Sequence, residues 1–423
     1  MRPYLMWGIP AALFFIAFFH RVAPGVIAKE LMQAFGATGT LIGLLSSVYF
    51  YAYAGLMIPG GVLIDAYGVR RVVAAGGVVM GVGTLAMAMA TAPWLLFTGR
   101  FLVGAGATVT FIGVLKIASV WFSPQQFGTL SALSATVGIF GSLAGTAPLA
   151  WLVLVTGWRG ALVLVSLATL AAAALCAWIV RDHPDGEATK SPGVTHLAIV
   201  VRGVLEVLGN RHTWPPFLTF FCLYSAMGNL LLWSVPFLRD VYGLSTLSAA
   251  GYASAVSLAL LVAAPATGWI SDRMHRRKTP YTVLVSGLSG FWIALVLTLG
   301  SVPLWGVFAL FFGLGIFGAA FVLTWPIGRE VNPPQLAGVA VAVVNLGGFL
   351  GAALTQGPIG AILDARWAGV MVAGARAYPV EAYRAAFVVC AAFALAAAAL
   401  SPLLRETRGV NVYAHTIPQR RRS

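Results

Sequence analysis

Apolar stretches of about twenty residues, enough to cross a bilayer as helix, recur along this chain with little polar punctuation, so lipid and not water is its solvent. A backbone in hydrocarbon must satisfy its own hydrogen bonds, and runs of this length do so as helices. They fall at Leu5–Val26, Leu41–Leu63, Val72–Ala92, Leu95–Val120, Gly128–Leu149 and Gly160–Ile179. After a polar stretch they resume at Pro216–Phe237, Ala249–Ile270, Tyr281–Leu299, Leu304–Ile327, Ala340–Ile362 and Ala386–Leu404. The expected fold is an all-α membrane protein of twelve transmembrane helices in two six-helix, pseudo-symmetric halves. Its parts are an N-terminal half over 1–180, a linker over 181–214, a C-terminal half over 215–404 and a basic tail over 405–423. Composition agrees: 9% of residues are charged, against about 25% in soluble domains.

The net charge of +14 does not point to nucleic acid, because the basic residues sit in short loops between apolar runs, as the positive-inside rule has it. With both termini inside, the cytoplasmic loops and tail collect Arg2, Arg70, Arg71, Arg181, Lys190, Arg202, Arg211, Arg273, Arg276, Arg277, Lys278, Arg329, Arg405, Arg408 and Arg420 to Arg422. The other side holds only Lys29, Arg159, Arg239, Arg366, Arg376 and Arg384. The expected location is a bacterial inner membrane, crossed many times, with the first run retained as a helix and not cleaved as a signal. Cys176, Cys222 and Cys390 lie singly in apolar runs and suggest neither disulfide nor metal. In the linker, Leu197, Val200, Val201, Val204, Leu205 and Leu208 follow helical spacing, predicting a short amphipathic helix at the cytoplasmic membrane face.

The halves repeat. Pro124, Gln125, Gly128, Gly138, Gly141 and Pro148 recur as Pro334, Gln335, Gly338, Gly348, Gly351 and Pro358 at one constant offset. Gly61, Asp65 and Arg70–Arg71 recur as Gly268, Asp272 and Arg276–Arg277 at nearly that offset. A duplicated helical unit of this kind is a design in which two halves rock about a midplane site.

The loop Gly61-Val-Leu-Ile-Asp65-Ala-Tyr-Gly68-Val-Arg70-Arg71 resembles the signature loop of the major facilitator superfamily, and Gly268-Trp-Ile-Ser-Asp272-Arg273 resembles its second copy. The resemblance implies the major facilitator fold and a gating latch formed by Gly61, Asp65, Gly68, Arg70, Arg71, Gly268, Asp272, Arg273 and Arg276. Gly61 and Gly268 are expected to let neighbouring helices approach closely. Ala66 departs from the pattern, where the family commonly has Arg. Gly99-Arg100-Phe-Leu-Val-Gly104-Ala-Gly106 looks like a further family motif and adds Arg100 to the gating set.

Arg21 is the most informative single residue, about 24 Å along the first helix at 1.5 Å per residue. The phrase His20-Arg21-Val-Ala-Pro24-Gly25 resembles the sugar-phosphate and organic-anion permease branch, where a basic residue of this helix receives the substrate's anionic group. Arg suits that task because its planar fork binds carboxylate or phosphate bidentately. Pro24-Gly25 predicts a kink. Tyr49, Tyr53, Lys116, Asn229, Trp233 and Asn345 complete the candidate solute-binding set. All twelve acidic residues fall in loops or at helix ends, so uniport or anion exchange ranks above proton symport through membrane carboxylates. His20 titrates near neutral pH in water, though a lone histidine is as often a hydrogen-bonded interface residue.

The reading is secondary transport of a small anionic or zwitterionic solute by alternating access. The loop at Gly61–Asp65 with Gly99-Arg100 is also similar to the lysosomal dipeptide transporter, which leaves dipeptides as a competing solute. A transporter-derived membrane sensor is the competing class. No catalytic cluster, metal ligand set or cofactor motif is found, so an enzyme is not expected. The expected partners are the solute, the bilayer and a candidate coupling ion, for a monomeric chain that binds no nucleic acid.

Overall fold

The computed structural model describes residues 2–184 and 197–413. Lys190, Asp185, Glu187 and the rest of 185–196, with tail residues 414–423 and their Arg420 to Arg422, lie outside the described residues. The chain is helical: α1 (Arg2–Val26), α2 (Ala28–Phe35), α3 (Gly39–Tyr67), α4 (Val69–Ala88), α5 (Pro93–Trp121), α6 (Pro124–Ala144) and α7 (Ala147–Ile179) come first. The amphipathic α8 (Leu197–Gly209) leads to α9 (Trp214–Tyr242), α10 (Thr246–Met274), α11 (Lys278–Thr298), α12 (Leu304–Gly318), α13 (Phe321–Glu330), α14 (Ala337–Ala365) and α15 (Val380–Leu400).

Twelve crossings follow among the described residues once two interruptions are read correctly. Gly157, with φ 71°, breaks α7. Residues 147–156 therefore follow α6 after the short break at Gly145 and Thr146, and 158–179 make the next crossing. Ala319 and Ala320 interrupt the crossing shared by α12 and α13. α1 runs through Pro24 and breaks only at Ile27, so the kink predicted at Pro24–Gly25 falls two residues later than expected. Among the described residues the one sheet is a hairpin of β1 (Met371–Val372) and β2 (Ala375–Arg376). Positive φ at both Ala373 and Gly374 gives its two-residue turn the twist that antiparallel strands need.

Two compact units result. The first takes Met1–Thr195, Leu231–Ser257 and Ala353–Ala386; the second takes His196–Leu230, Leu258–Ala352 and Phe387–Ser423. α9, α10, α14 and α15 each contribute to both.

Without a hydrophobic force between helices in lipid, small residues set the packing. A Cβ on Gly99 would lie 2.5 Å from the carbonyl oxygen of Gly83 on α4, and one on Gly104 would lie 2.5 Å from that of Tyr49 on α3. The repeated glycines do the same work in each unit. Gly141 leaves room for the Phe15 carbonyl of α1, and its repeat Gly351 leaves room for the Phe221 carbonyl of α9. In the second unit the inner face of α8, through Val204, Val207 and Leu208, packs on Phe217, Leu336, Val339, Ala340 and Val343. Val201 and Leu205 face outward.

Candidate functional site

α1 and α3 bring Arg21, Tyr49 and Tyr53 together. The Arg21 guanidinium lies 3.8 Å from the Phe18 ring centroid and 5.2 Å from that of Tyr53. Arg21 Nε donates to the Tyr49 hydroxyl at 3.4 Å, and that hydroxyl donates to the Ala17 carbonyl at 3.0 Å. Aromatic faces attract the cation and fix its plane, while the phenol orients it. Phe18 was missed, although its place one turn before Arg21 on the same helix face carried the signal.

Arg100 lies under the same tyrosine. It is fully buried, with its guanidinium 4.7 Å from the Tyr49 ring centroid, and Nη1 donates to the His20 carbonyl at 2.8 Å. Thr84 gives its hydroxyl proton to the Met80 carbonyl at 2.8 Å, so it receives the His20 Nε2 proton across 3.1 Å.

Lys116 stands elsewhere, at the far end of α5, where it pairs with Asp65 at 2.9 Å; both side chains are about half exposed. Arg70 donates from Nε to the Ala177 carbonyl at 2.6 Å, and its backbone N–H donates to Asp182 at 2.9 Å; Arg71 is exposed. The glycine that this loop requires is Gly68, with φ 82° and a would-be Cβ against the Asp182 carboxylate. The expectation for Gly61 and Gly268 is corrected. A Cβ on Gly61 would meet only Ile112 at 3.8 Å, and one on Gly268 meets nothing within 4 Å among the described residues, because neither faces a closely packed helix. Trp233 is buried in the first unit.

In the second unit, Asn229 is buried and donates to the Ser225 carbonyl at 2.8 Å, and Asn345 accepts from Trp325 Nε1 at 3.2 Å. Asp272 pairs at 2.5 Å with Arg277, not with Arg276 or Arg273, which stay exposed. The Arg273 guanidinium instead lies 5.3 Å from the Trp269 ring centroid. Arg277 also reaches Glu330 at 3.4 Å and Ser271 at 3.0 Å. Burial lowers the Arg277 pKa, but bonds to Asp272 and Glu330 outweigh it and hold it above the usual value.

A network at the α2 end of the first unit was absent from the sequence reading. Lys29 and Asp240, each only 6% exposed, pair at 2.6 Å, and Lys29 also donates to the Arg376 carbonyl. Asp240 accepts from the Tyr383 hydroxyl at 2.8 Å and the Tyr378 N–H at 3.1 Å. The neighbouring residues pair in the opposite sense, Glu30 with Arg239 at 2.8 Å. Asp364 accepts from Gly39 N at 2.8 Å and Thr40 N at 2.7 Å, so a carboxylate of α14 caps the start of α3. Burial holds the Lys29 ammonium below its usual range, with Asp240 pulling it back up. Burial and Asp364 push the Tyr378 phenol above its own range.

The sequence profile of the Major Facilitator Superfamily matches residues 11–356. The chain belongs to this superfamily. It is a multi-pass membrane protein and a secondary transporter, not an enzyme. It is 24% identical over 396 residues to the probable galactarate/D-glucarate transporter GudP of Bacillus subtilis, covering 85% of this chain and 86% of that one. It is 22% identical over 382 residues to the membrane sensor protein UhpC of Salmonella typhimurium, covering 83% and 82%. Among solved structures, a bacterial homologue of the human lysosomal transporter Spinster superposes with TM-score 0.79 at 18% identity, covering 97% of this chain and 98% of that one. At that identity the likeness speaks for the fold alone. The chain's own residues present an oriented guanidinium in α1, a second one buried behind Tyr49, and charged pairs at helix ends.

Proposed function

We propose that this transporter carries a small organic anion across a bacterial inner membrane by alternating access, with Arg21 receiving the anionic group. The observation that carries the reading is the half-buried Arg21 guanidinium, set between the Phe18 and Tyr53 rings and directed by the Tyr49 hydroxyl. An arginine within a span costs at least about 2.5 kcal/mol on insertion scales, so a function is the usual reason to keep one there. Its fork suits a carboxylate, and the galactarate and D-glucarate named for the GudP relative are organic acids. Lys116 belongs with Asp65 in a latch, not with the anion. Trp233, Asn229 and Asn345 remain candidates on α9 and α14 for contact with the rest of the solute.

The excess of Lys and Arg in one set of loops supports a topology with both termini in the cytoplasm and the α2 end outside. The Lys29–Asp240 and Glu30–Arg239 pairs and the Asp364 cap then form an outer clasp, which parts when solute enters from outside.

The test is uptake of labelled D-glucarate into proteoliposomes. Arg21→Ala is expected to abolish saturable uptake with little loss of folded protein, and Arg21→Lys to rescue it in part. Parent rates in both variants would refute the anchor. The likeness to UhpC keeps a sensor as the second reading; it predicts Arg21-dependent binding without flux.

A further inference from the structure

Pro24 sits inside α1, and a proline has no N–H to give. The carbonyl that loses its helical partner is that of His20, four residues back. In hydrocarbon such a carbonyl must find another donor, often on a neighbouring helix. Arg100 of α5 is that donor: its Nη1 gives a hydrogen bond to the His20 carbonyl at 2.8 Å. The rest of this guanidinium gains little from the arrangement. The side chain is 0% exposed, and Nε and Nη2 have no hydrogen-bond partner among the described residues. A cation buried without a countercharge is costly, so Arg100 is poorly explained as a device for stability alone.

Its contacts converge on the turn that carries the solute anchor. The Arg100 guanidinium lies 4.7 Å from the Tyr49 ring centroid. Tyr49 in turn spends its hydroxyl on α1, accepting from Arg21 Nε at 3.4 Å and donating to the Ala17 carbonyl at 3.0 Å. Gly104, one turn after Arg100, lets α5 rest on α3 at this level, since a Cβ there would lie 2.5 Å from the Tyr49 carbonyl oxygen. Thr84 of α4 holds the His20 ring across 3.1 Å. Side chains of α3, α4 and α5 thus grip the turn from residue 17 to residue 21, just before the proline. Arg100 itself is too deeply buried to meet the solute, so it acts through the groups it touches.

We propose that Arg100 is a positioning residue for the anchor: it takes the α1 carbonyl that Pro24 leaves open and, through that carbonyl and the Tyr49 ring, fixes where Arg21 points. This role rests on the reading of Arg21 as the anchor, whereas the link between Pro24 and Arg100 stands without it.

A double-mutant cycle between positions 24 and 100 tests this, because Pro24→Ala gives the His20 carbonyl a backbone donor of its own. Thermal unfolding of the purified full-length protein reads the link without any solute. The change in unfolding temperature caused by Arg100→Met should be less favourable by several degrees with Pro24 in place than in the Pro24→Ala background. Equal changes in the two backgrounds overturn the proposal. Should Arg100→Met fail to fold, adding Pro24→Ala is expected to restore folded protein, and no recovery overturns it instead. Uptake of labelled D-glucarate into proteoliposomes reads the anchor. Arg100→Met should raise KM severalfold with a smaller fall in the maximal rate, and Arg100→Lys, which keeps a donor and the charge, should recover most of it. A lowered rate at unchanged KM overturns the positioning role. If the parent takes up no D-glucarate, the reading of the solute fails, and the thermal cycle alone decides for or against Arg100.

Discussion

The two copies of the repeated loop have parted company. In the first unit, Asp65 meets Lys116 in an ion pair whose two side chains are 55% and 47% exposed. In the second, Arg277 is 10% exposed at its side chain and joins Asp272 to Glu330, which is only 3% exposed. Thr407 and the Val412 N–H hold Glu330 in turn, the latter at 2.8 Å to its backbone carbonyl. Glu406 accepts from the N–H groups of Arg277 at 2.7 Å and Lys278 at 3.2 Å, capping α11. The repeated pattern is thus a surface contact in the first unit, and in the second an exposed Asp272 tied through Arg277 to a buried Glu330. An exposed pair adds roughly 0–1 kcal/mol, whereas stripping one partner from a buried pair costs about 3–5 kcal/mol. On these figures the pair in the first copy costs less to break than the buried pair in the second. The residue that separates them is Glu330, whose counterpart at the repeat offset is Val120.

The largest expected effect comes from the matched arginines. Arg277→Gln leaves buried Glu330 with only the longer Arg329 ion contact at 3.8 Å and should lower the unfolding free energy by about 3 kcal/mol, the low end of the buried-pair range. Arg71→Gln, exposed in the first copy, should stay within about 0.5 kcal/mol. Equal losses in denaturant titrations would erase the distinction between the copies.

Next comes Glu406. Burial pushes its carboxyl up, but backbone N–H donors from Arg277, Arg408 and Lys278 outweigh that and hold it below its usual range. Its contribution is therefore fully present above the unfolded value of about 4.3 and is lost as pH falls through the lower folded value. Solvent screening keeps it to about 1 kcal/mol or less. Stability against pH should show Glu406→Gln weaker than the parent at pH 6 and converging with it in acid. A constant gap would assign the effect to packing.

Smaller still is the graft of the missing acid. Val120 lies one turn beyond Lys116 on α5, so Val120→Glu should add about 0.3 kcal/mol through an i, i+4 pair. It should also slow turnover by tightening the loose copy. A faster carrier would argue that the acid at this position is not what locks the loop.

Asp65→Asn should hardly move stability, by less than about 0.5 kcal/mol. It should reduce the turnover number more than it raises the KM for the transported solute. A change in KM alone would place Asp65 with the solute and not with gating.

Much of the site's local chemistry was legible because it is spaced along single helices. Arg21 with Phe18, and Tyr49 with Tyr53, need only the helical repeat to share a face. The Lys116–Asp65 pair was not legible, because a lysine late in a span looks the same whether it turns to a pathway or to a loop. The Lys29–Asp240 network was invisible for a related reason. Lys29 and Asp240 are 211 residues apart, and both sit in segments that read as ordinary solvated helix ends. Asp364 capping α3 is a contact across 325 residues.

The sequence by itself determined the solvent, the number of crossings, the duplication and the arginine in the first span. All of these are periodicities or local costs that lipid imposes on any chain of this composition. Only the tertiary structure decided which charges meet. Ion pairs at helix ends depend on where the ends converge, and that is set by glycine contacts such as Gly104 on Tyr49 and Gly351 on Phe221. Helical spacing orders residues within a helix; it carries no information about which neighbour a side chain will find.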